Sequence, residues 1–233
     1  MLGFYDYTVI LTYLSAISAG LGIIVSLHGE GHPFWGVFFL MCCGLFDAFD
    51  GKVARTKKNR SESAIKFGIQ IDSLTDVVAF GVLPGCIGTA MIRICPNIPE
   101  VPRIRSGNPI ESSVVILLFT IILLYILAAL IRLAYFNVEE EERQKKEEGG
   151  RKYYTGVPVT SAAIVFPSIL LLQFVLPIDI TIAYFVVMLL LGLAFVSRIQ
   201  IPKPGLRGIL IMVGIGIVEF ILLLCKWNII YGL

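Results

Sequence analysis

The sequence has little charge for its length. Only 15% of its 233 residues are Asp, Glu, Lys or Arg, whereas a soluble domain carries about 25%. Hydrophobic residues make up 57% of the chain. The formal net charge of +2 is too small to indicate binding of nucleic acid. This composition excludes an ordinary soluble domain and predicts a protein embedded in membrane lipid.

Residues that bind zinc are also scarce. The chain has two histidines, and its five cysteines are odd in number and lack the paired spacing of zinc sites. We therefore interpret the cysteines as small apolar packing residues in a reducing setting. They are Cys42, Cys43, Cys86, Cys95 and Cys225.

Apolar runs of about 20 residues, long enough to cross a bilayer, recur along the chain. They predict seven spans, at 8–28, 34–55, 66–94, 112–138, 157–176, 179–197 and 206–225. The first run has no basic segment before it and no small-residue cleavage site after it, so we expect a retained helix rather than a signal peptide. The prediction is one all-α domain over residues 1–233, a polytopic helical bundle in the membrane.

The basic residues predict its orientation. If the N-terminus is cytoplasmic, the inner segments 52–66, 139–152 and 198–207 hold six, five and three Lys or Arg residues. Only four lie outside the membrane on the other face. Because Lys and Arg concentrate in cytoplasmic loops, this bias predicts a multi-pass protein of the cell membrane with its N-terminus in the cytoplasm. The segment 139–148 is then a solvated cytoplasmic loop or a helix extension.

Four aspartates interrupt the apolar background between positions 47 and 76. Asp47 and Asp50 are three residues apart, and Asp72 and Asp76 are four apart, so each pair lies on one face of its own helix. An acid within a membrane span is costly and by default indicates function. Carboxylate oxygens suit Mg²⁺, Mn²⁺ or Ca²⁺, and four acids suffice for a pair of cations of the kind common in phosphoryl transfer.

Small and basic residues accompany the aspartates. Gly51, Ala54 and Gly68 have almost no side chain, so a ligand can approach the helix backbone closely. Arg55 offers a planar fork for a phosphate group. The alternative is that the acids are solvated at helix ends or pair with neighbouring basic residues, namely Lys52, Arg55 and Lys66.

The full pattern, D-x₂-D-G-x₂-A-R-x₁₂-G-x₃-D-x₃-D, resembles the signature of the CDP-alcohol phosphotransferases, integral membrane enzymes of phospholipid synthesis. The resemblance implies a homodimer with a six-helix catalytic core. It implies two divalent cations, Mg²⁺ or Mn²⁺, held by Asp47, Asp50, Asp72 and Asp76, with Asp76 also acting as the general base. It also implies a site for cytidine diphosphate formed by Asp47, Gly51, Ala54, Arg55, Gly68 and Asp72.

Three further stretches, at 72–84, 132–138 and 154–158, are similar to the phosphatidylserine synthases of the bacterial and archaeal integral-membrane type. This similarity implies that CDP-diacylglycerol and L-serine are the substrates and that phosphatidylserine and CMP are the products. The chain departs from those enzymes at Ser15, where they often have Asn, and at Tyr135, where they often have Arg.

Three polar residues are candidates for a site that binds the acceptor or a lipid phosphate: Arg132, Asn137 and Lys57. Arg132 lies within an apolar span and needs a partner, which a serine carboxylate or a lipid phosphate would provide. Alternatively, Arg132 pairs with a motif aspartate or extends to the membrane interface. Asn137 would bind a polar substrate group or end the helix. Lys57, Lys58 and Arg60 would lie at the mouth of the site and meet lipid headgroups.

Two other functions remain open. The acceptor alcohol could be glycerol 3-phosphate, an inositol phosphate or glycerol, although a phosphorylated acceptor would need more inward basic residues than Arg132 provides. The acids could instead serve a cation transporter, but such proteins usually have repeated halves, and the C-terminal half has no second aspartate cluster. Glu219, in the last span, would pair with a neighbour, face a cavity or be neutral.

Overall fold

The computed structural model describes residues 3–28, 32–94, 109–146, 153–175, 179–202 and 206–231. Within these ranges its helices are α1 (Ile10–Leu27), α2 (Pro33–Ala54), α3 (Glu62–Asp76), α4 (Leu83–Ile94), α5 (Pro109–Lys146), α6 (Ala162–Val175), α7 (Thr181–Phe195) and α8 (Leu206–Tyr231). A π-helical segment, Val77–Val82, joins α3 to α4 in one continuous rod. The described part of the chain therefore forms seven helical rods, one for each predicted span.

Membrane character is visible in both the length and the surface of these rods. By length and composition, three are able to cross a membrane: Ile10–Leu27, Glu62–Ile94 and Ser113–Arg143. Shorter apolar helices lie at Val159–Gln173, Thr181–Phe195 and Val213–Leu222. Large apolar side chains are exposed along the rods, including Leu123 and Ile24. Such surfaces need an apolar surrounding, and the protein is a polytopic helical membrane protein, as predicted.

The third and fourth rods have boundaries that differ from the prediction for local reasons. The third rod begins at Glu62 rather than 66, because the Ser61 hydroxyl caps it by accepting a hydrogen bond from the backbone N–H of Ala64 at 3.2 Å. The fourth continues through Asn137 to Lys146, so part of the charged segment is a helix extension. The alternative in which Asn137 ends its helix is therefore wrong.

The fifth rod begins later than predicted, at Ala162 rather than 157. Gly156 turns the chain with a φ of 78°, a left-handed conformation that favours glycine. A 3₁₀ turn, Val159–Ser161, follows Pro158 before the α-helix starts. The apolar composition extended the predicted span through this turn, since hydropathy does not register backbone direction.

Helices α1 and α2 approach each other closely because small residues line their contact. The buried face of α1 contains Ser15, Ser18, Ala19, Gly22 and Ser26. A Cβ placed on Gly36 of α2 would lie 2.2 Å from the Ser26 hydroxyl, so only glycine fits there. Small-residue faces of this kind allow membrane helices to pack tightly. The contact fixes α2, which carries Asp47 and Asp50, against α1.

The π-helical segment follows directly after Asp76 and has a chemical cause. Pro84 has no backbone N–H and cannot donate a hydrogen bond to the carbonyl of Phe80, four residues earlier. The hydroxyl of the buried Tyr125 in α5 donates to that carbonyl instead, at 2.7 Å. The same arrangement ties the end of the aspartate-bearing helix α3 to α5. Short π-helical segments inside α-helices are frequent at functional sites.

A short antiparallel pairing joins β1 (Tyr153–Thr155) to β2 (Gln200–Pro202), with Tyr154 opposite Ile201. These strands belong to the connections before α6 and after α7. Both connections were predicted on the same side of the membrane, and their pairing confirms that they share one end of the bundle. That this end is cytoplasmic remains a prediction. The pairing itself was not predicted from the sequence.

Site-directed labelling tests the orientation. In a background without the five native cysteines, Lys146→Cys should react with a membrane-impermeant maleimide from the cytoplasmic side only, and Asn97→Cys from the outer side only. The reason is the excess of basic residues in the segments assigned to the cytoplasm. After permeabilisation both positions should be labelled, which controls for reactivity. The reverse pattern would contradict the predicted orientation.

Candidate active site

Three of the four motif aspartates converge. One carboxylate oxygen from each of Asp47, Asp50 and Asp72 lies within 4.8 Å of the oxygens from the other two. The first two residues lie on α2 and the third on α3. Asp47 is about 10 Å along the helix axis from the end of α2, and Asp72 about 15 Å from the start of α3. The cluster is therefore set well inside the ends of the two helices.

The environment of the acids decides between a site and a solvated helix end. Asp50 and Asp76 are only 8% and 9% exposed, so the solvated alternative is wrong for these two. Lys66 is not available as a simple counter-charge, because its ammonium pairs with Glu62 at 2.6 Å. The ammonium of Lys52 lies 5.4 Å from the ring centroid of Phe49.

Asp76 lies one helical turn beyond Asp72, at the end of α3. It is buried, but the group of three oxygens within 4.8 Å does not include it. The prediction that the acids converge is therefore confirmed for three of them. The fourth, Asp76, lies one turn from Asp72 on α3. Its assignment as a metal ligand and general base stays a proposal.

The cluster fits a hard divalent cation. Its donors are all carboxylate oxygens, the type that Mg²⁺ and Mn²⁺ prefer. Oxygens on opposite sides of such an ion, each at about 2.0–2.5 Å, are separated by about 4–5 Å, which matches the spacing of the three carboxylates. These residues therefore fit one shared ion, and a second would need Asp76 or substrate oxygens.

A hydroxyl group from α1 orients one of the carboxylates. The buried Thr12 donates a hydrogen bond from Oγ1 to Oδ2 of Asp50 at 3.2 Å. This contact was not predicted, because the two residues are 38 positions apart and belong to different helices. The hydroxyl group of Ser15, on the same buried face, has no hydrogen-bond partner among the described residues.

A guanidinium group lies against each of the two motif glycines. A Cβ placed on Gly51 would lie 3.6 Å from Nη2 of Arg55, and one placed on Gly68 would lie 2.8 Å from Nη2 of Arg60. Arg55 was predicted near the nucleotide, and its contact with Gly51 is compatible with that role. Arg60 was predicted at the mouth of the site among lipid headgroups, but its side chain folds along α3 instead. Ala54 is the last residue of α2.

Arg132 is 5% exposed, so the alternative in which it extends to the membrane interface is wrong. Its Nε donates to the carbonyl of Val157 at 3.2 Å, and its guanidinium lies 5.3 Å from the ring centroid of Phe136. Asn137, on the same helix, donates to the Ser73 hydroxyl at 2.8 Å, beside Asp72. These two residues tie α5 to the turn before α6 and to α3.

Lys57 has a partner in the segment that precedes α1. Its ammonium forms an ion pair with Asp6 at 2.8 Å. This hydrogen bond from Lys57, together with those from the hydroxyl and backbone N–H of Thr8, holds the pKa of Asp6 well below its usual range. The contact brings the N-terminal segment to the same end of the bundle as the α2–α3 connection. A role for Lys57 towards a lipid phosphate remains a proposal.

Glu219 resolves one of the alternatives left open by the sequence. It is 6% exposed and accepts a hydrogen bond from the Ser168 hydroxyl, so it pairs with a neighbouring helix. The contact joins α8 to α6, and none of the three clustered aspartates belongs to either helix. We assign Glu219 no part in the chemistry of the aspartate cluster.

The fold and the cluster together define a helical membrane protein with a carboxylate cluster that could hold a divalent cation. The sequence model of the CDP-alcohol phosphatidyltransferase family matches residues 8–218. The chain therefore belongs to this family. Its members are phosphotransferases that use divalent cations, and phosphatidyl transfer is the chemistry that membership supports.

Individual relatives match a shorter stretch. The CDP-diacylglycerol–serine O-phosphatidyltransferase of Helicobacter pylori strain J99 is 40% identical over 74 residues, which cover 31% of this chain and 30% of the relative. The archaetidylserine synthase of Methanothermobacter thermautotrophicus is 36% identical over 78 residues, covering 34% and 32%. The chain thus matches about a third of the length of these curated relatives.

Proposed function

We propose that the protein transfers a phosphatidyl group from CDP-diacylglycerol to L-serine, giving phosphatidylserine and CMP. The observation that carries this proposal is the convergence of Asp47, Asp50 and Asp72 in a chain that belongs to a family of phosphatidyltransferases. The two relatives named for serine-linked lipids support serine as the acceptor. The transporter alternative has no comparable support.

The aspartates would act as a unit. Asp47, Asp50 and Asp72, with Asp76, would hold two cations, Mg²⁺ or Mn²⁺, which when bound would stabilise charge on the diphosphate and on the departing CMP. Asp76 would accept the proton of the serine hydroxyl as that oxygen attacks the phosphorus of the lipid phosphate. Thr12 would keep the Asp50 carboxylate in a fixed orientation.

The nucleotide would lie against the two glycines. Gly51 allows close approach to α2, and Arg55 lies over Gly51, where its fork would bind a phosphate oxygen. On α3 the Arg60 guanidinium occupies the space at Gly68, so the nucleotide would meet Gly68 beside that group. Ala54 and the aspartates would complete the site for the cytidine diphosphate. Lipid tails would extend into the membrane along the exposed apolar faces of the rods.

Arg132 would bind the carboxylate of serine. It is buried on α5, about 7.5 Å along the helix axis from Asn137, whose contact with Ser73 brings this helix beside the cluster. A guanidinium there discriminates serine from alcohols that lack a carboxylate. The homodimer and the cytoplasmic position of the site belong to the same proposal.

The direct test is incorporation of radiolabelled serine into lipid by the purified protein. Product should form with CDP-diacylglycerol and Mg²⁺ or Mn²⁺, and it should be lost when either the liponucleotide or the cation is omitted. Glycerol 3-phosphate, inositol phosphate and glycerol serve as competing acceptors. Use of one of these instead of serine would overturn the assignment of the acceptor and leave the chemistry of the aspartates in place.

Arg132→Lys tests the clamp on the serine carboxylate. We expect kcat/KM for serine to fall about tenfold or more, because an ammonium cannot reproduce the bidentate fork. The KM for CDP-diacylglycerol should stay nearly constant, and the preference for serine over ethanolamine should disappear. Steady-state kinetics with both alcohols measure this.

Arg198→Lys makes the same change at an exposed position and should leave both kinetic constants unaltered. If Arg132→Lys leaves serine kinetics intact and weakens use of the liponucleotide instead, Arg132 binds a phosphate or serves only the fold.

A further inference from the structure

The side chain of Arg60 follows the surface of α3 toward the aspartates. Arg60 precedes the helix, yet its Nη2 donates to the carbonyl of Ala64 at 3.1 Å. The same nitrogen lies 2.8 Å from the position that a Cβ on Gly68 would occupy. The guanidinium therefore rests in the space left by the missing side chain of Gly68.

This placement puts a positive charge one helical turn before Asp72. Gly68, Asp72 and Asp76 follow one another at intervals of four residues along α3, so each lies about one turn from the next. Asp72 follows Gly68 by about 6 Å along the axis. The guanidinium beside Gly68 and the carboxylate cluster therefore lie on neighbouring turns of α3.

The guanidinium is not fully satisfied. Its Nε is buried and has no hydrogen-bond partner among the described residues. An arginine stays charged, so a buried N–H of this group is costly unless an acceptor binds to it. The other basic residue near the start of the helix, Lys66, is exposed and already paired with Glu62. Of these two basic residues, Arg60 is the one that lies against Gly68.

We propose that Arg60 is a phosphate-binding residue of this site, which holds the diphosphate of the CDP-alcohol over Gly68. The diphosphate would lie between the guanidinium and the cations held by the aspartates, so both of its ends would meet positive charge. The inference rests on the proposed function for the presence of a CDP-alcohol. It adds a residue that lies outside the signature pattern.

Phosphate groups reach this end of the protein from two sources, the liponucleotide and the headgroups of surrounding lipid. The position of the guanidinium beside Gly68, one turn from Asp72, favours the liponucleotide, because that phosphate must also meet the aspartate cluster. A headgroup bound at the surface has no such requirement. The two sources differ in their dependence on the nucleotide and on anionic lipid.

Binding of CDP to the full-length protein tests the inference. In detergent without anionic lipid and with Mg²⁺, competition against radiolabelled CDP gives the affinities of CDP and cytidine. Arg60→Gln should lower the affinity for CDP about tenfold or more and leave that for cytidine unchanged. Arg60→Lys, which keeps the charge, should lose less. Lys66→Gln, on the same helix but exposed, is the matched control and should bind CDP as the parent does.

Each other outcome rejects the inference. Unchanged CDP affinity in Arg60→Gln does so directly, and equal losses for CDP and cytidine assign a structural role. Repeating the titration in nanodiscs with and without anionic lipid isolates the headgroup, because a loss confined to anionic lipid overturns the nucleotide assignment. If Arg60→Gln does not fold, as judged by helical circular dichroism and gel filtration, Arg60→Lys decides by the ratio of CDP to cytidine affinity.

The binding assay is independent of the acceptor alcohol. If serine is not incorporated into lipid but Arg60→Gln selectively loses CDP affinity, the inference stands and the acceptor assignment fails. If serine is incorporated and both Arg60 variants bind CDP normally, the proposed function stands and the inference fails. If the parent binds no CDP with either cation, both are rejected.

Discussion

Asp47→Asn and Asp72→Asn should each abolish phosphatidyl transfer without loss of the fold. Each change removes one charge from a cluster whose oxygens lie within 4.8 Å of one another, and a neutral amide is a weaker ligand for a hard cation. Loss of one charge-stabilising group in an active site costs about 10²–10³-fold in turnover, and we expect at least that. The measurement is release of CMP from CDP-diacylglycerol in saturating Mg²⁺ or Mn²⁺.

Asp179→Asn is the matched control. Asp179 accepts a hydrogen bond from the backbone N–H of Thr181 at the start of α7, and the side-chain oxygen of asparagine can accept the same bond. This variant should retain full activity. EDTA should abolish the activity of the parent and of the control, and addition of either cation should restore the activity of both. Full activity of a cluster variant in excess chelator would refute the metal scheme.

Stability gives a second readout of the same site. Three carboxylates held this close repel one another, and a bound cation removes that repulsion. The parent should therefore unfold at a higher temperature as Mg²⁺ or Mn²⁺ is added, since a ligand that binds only the folded state stabilises it. Asp47→Asn should lose most of this dependence, which separates a metal site from a merely acidic patch.

The sequence predicts the parts of this protein that depend on local spacing. Hydropathy locates the seven rods, although only three of those described are long and apolar enough by themselves to cross a membrane. The intervals between the aspartates place each pair on one helix face, and the structure brings Asp47, Asp50 and Asp72 together. Both inferences need only local helix geometry, the rise per residue for the first and the period for the second.

Features that depend on contacts between distant segments were not predictable. The absence of an N–H in Pro84 is visible in the sequence, but the donor that replaces it, Tyr125, lies in another rod. The hydrogen bond from Thr12 to Asp50 likewise joins two helices. From the sequence, Arg60 is a surface residue of a basic loop, and its position against Gly68 appears only once the chain is folded.

The charged residues beside the membrane were the hardest to interpret. Lys57 has an aspartate partner 51 positions away. Arg132 donates to the backbone carbonyl of Val157, which is 25 positions away and beyond the charged loop. Long basic side chains can reach many partners, and charge alone does not choose among them. Folding decides which of them face a substrate and which hold the bundle together.

Gly156→Ala should destabilise the corner that holds Arg132 and impair use of serine. A Cβ on Gly156 would lie 2.7 Å from the carbonyl oxygen of Phe195 and 3.0 Å from that of Ser197, and a φ of 78° costs a residue with a side chain about 1–2 kcal/mol before any clash. We expect the melting temperature to fall by about 4 °C or more. The KM for serine should rise further than that for CDP-diacylglycerol, because Nε of Arg132 is only 3.3 Å from the added carbon.

Gly214→Ala, where a Cβ meets nothing within 4 Å, should be neutral or slightly stabilising within its helix. Equal melting temperatures for the two variants would show that the left-handed turn is not required, and a normal serine KM in Gly156→Ala would separate this corner from the acceptor site.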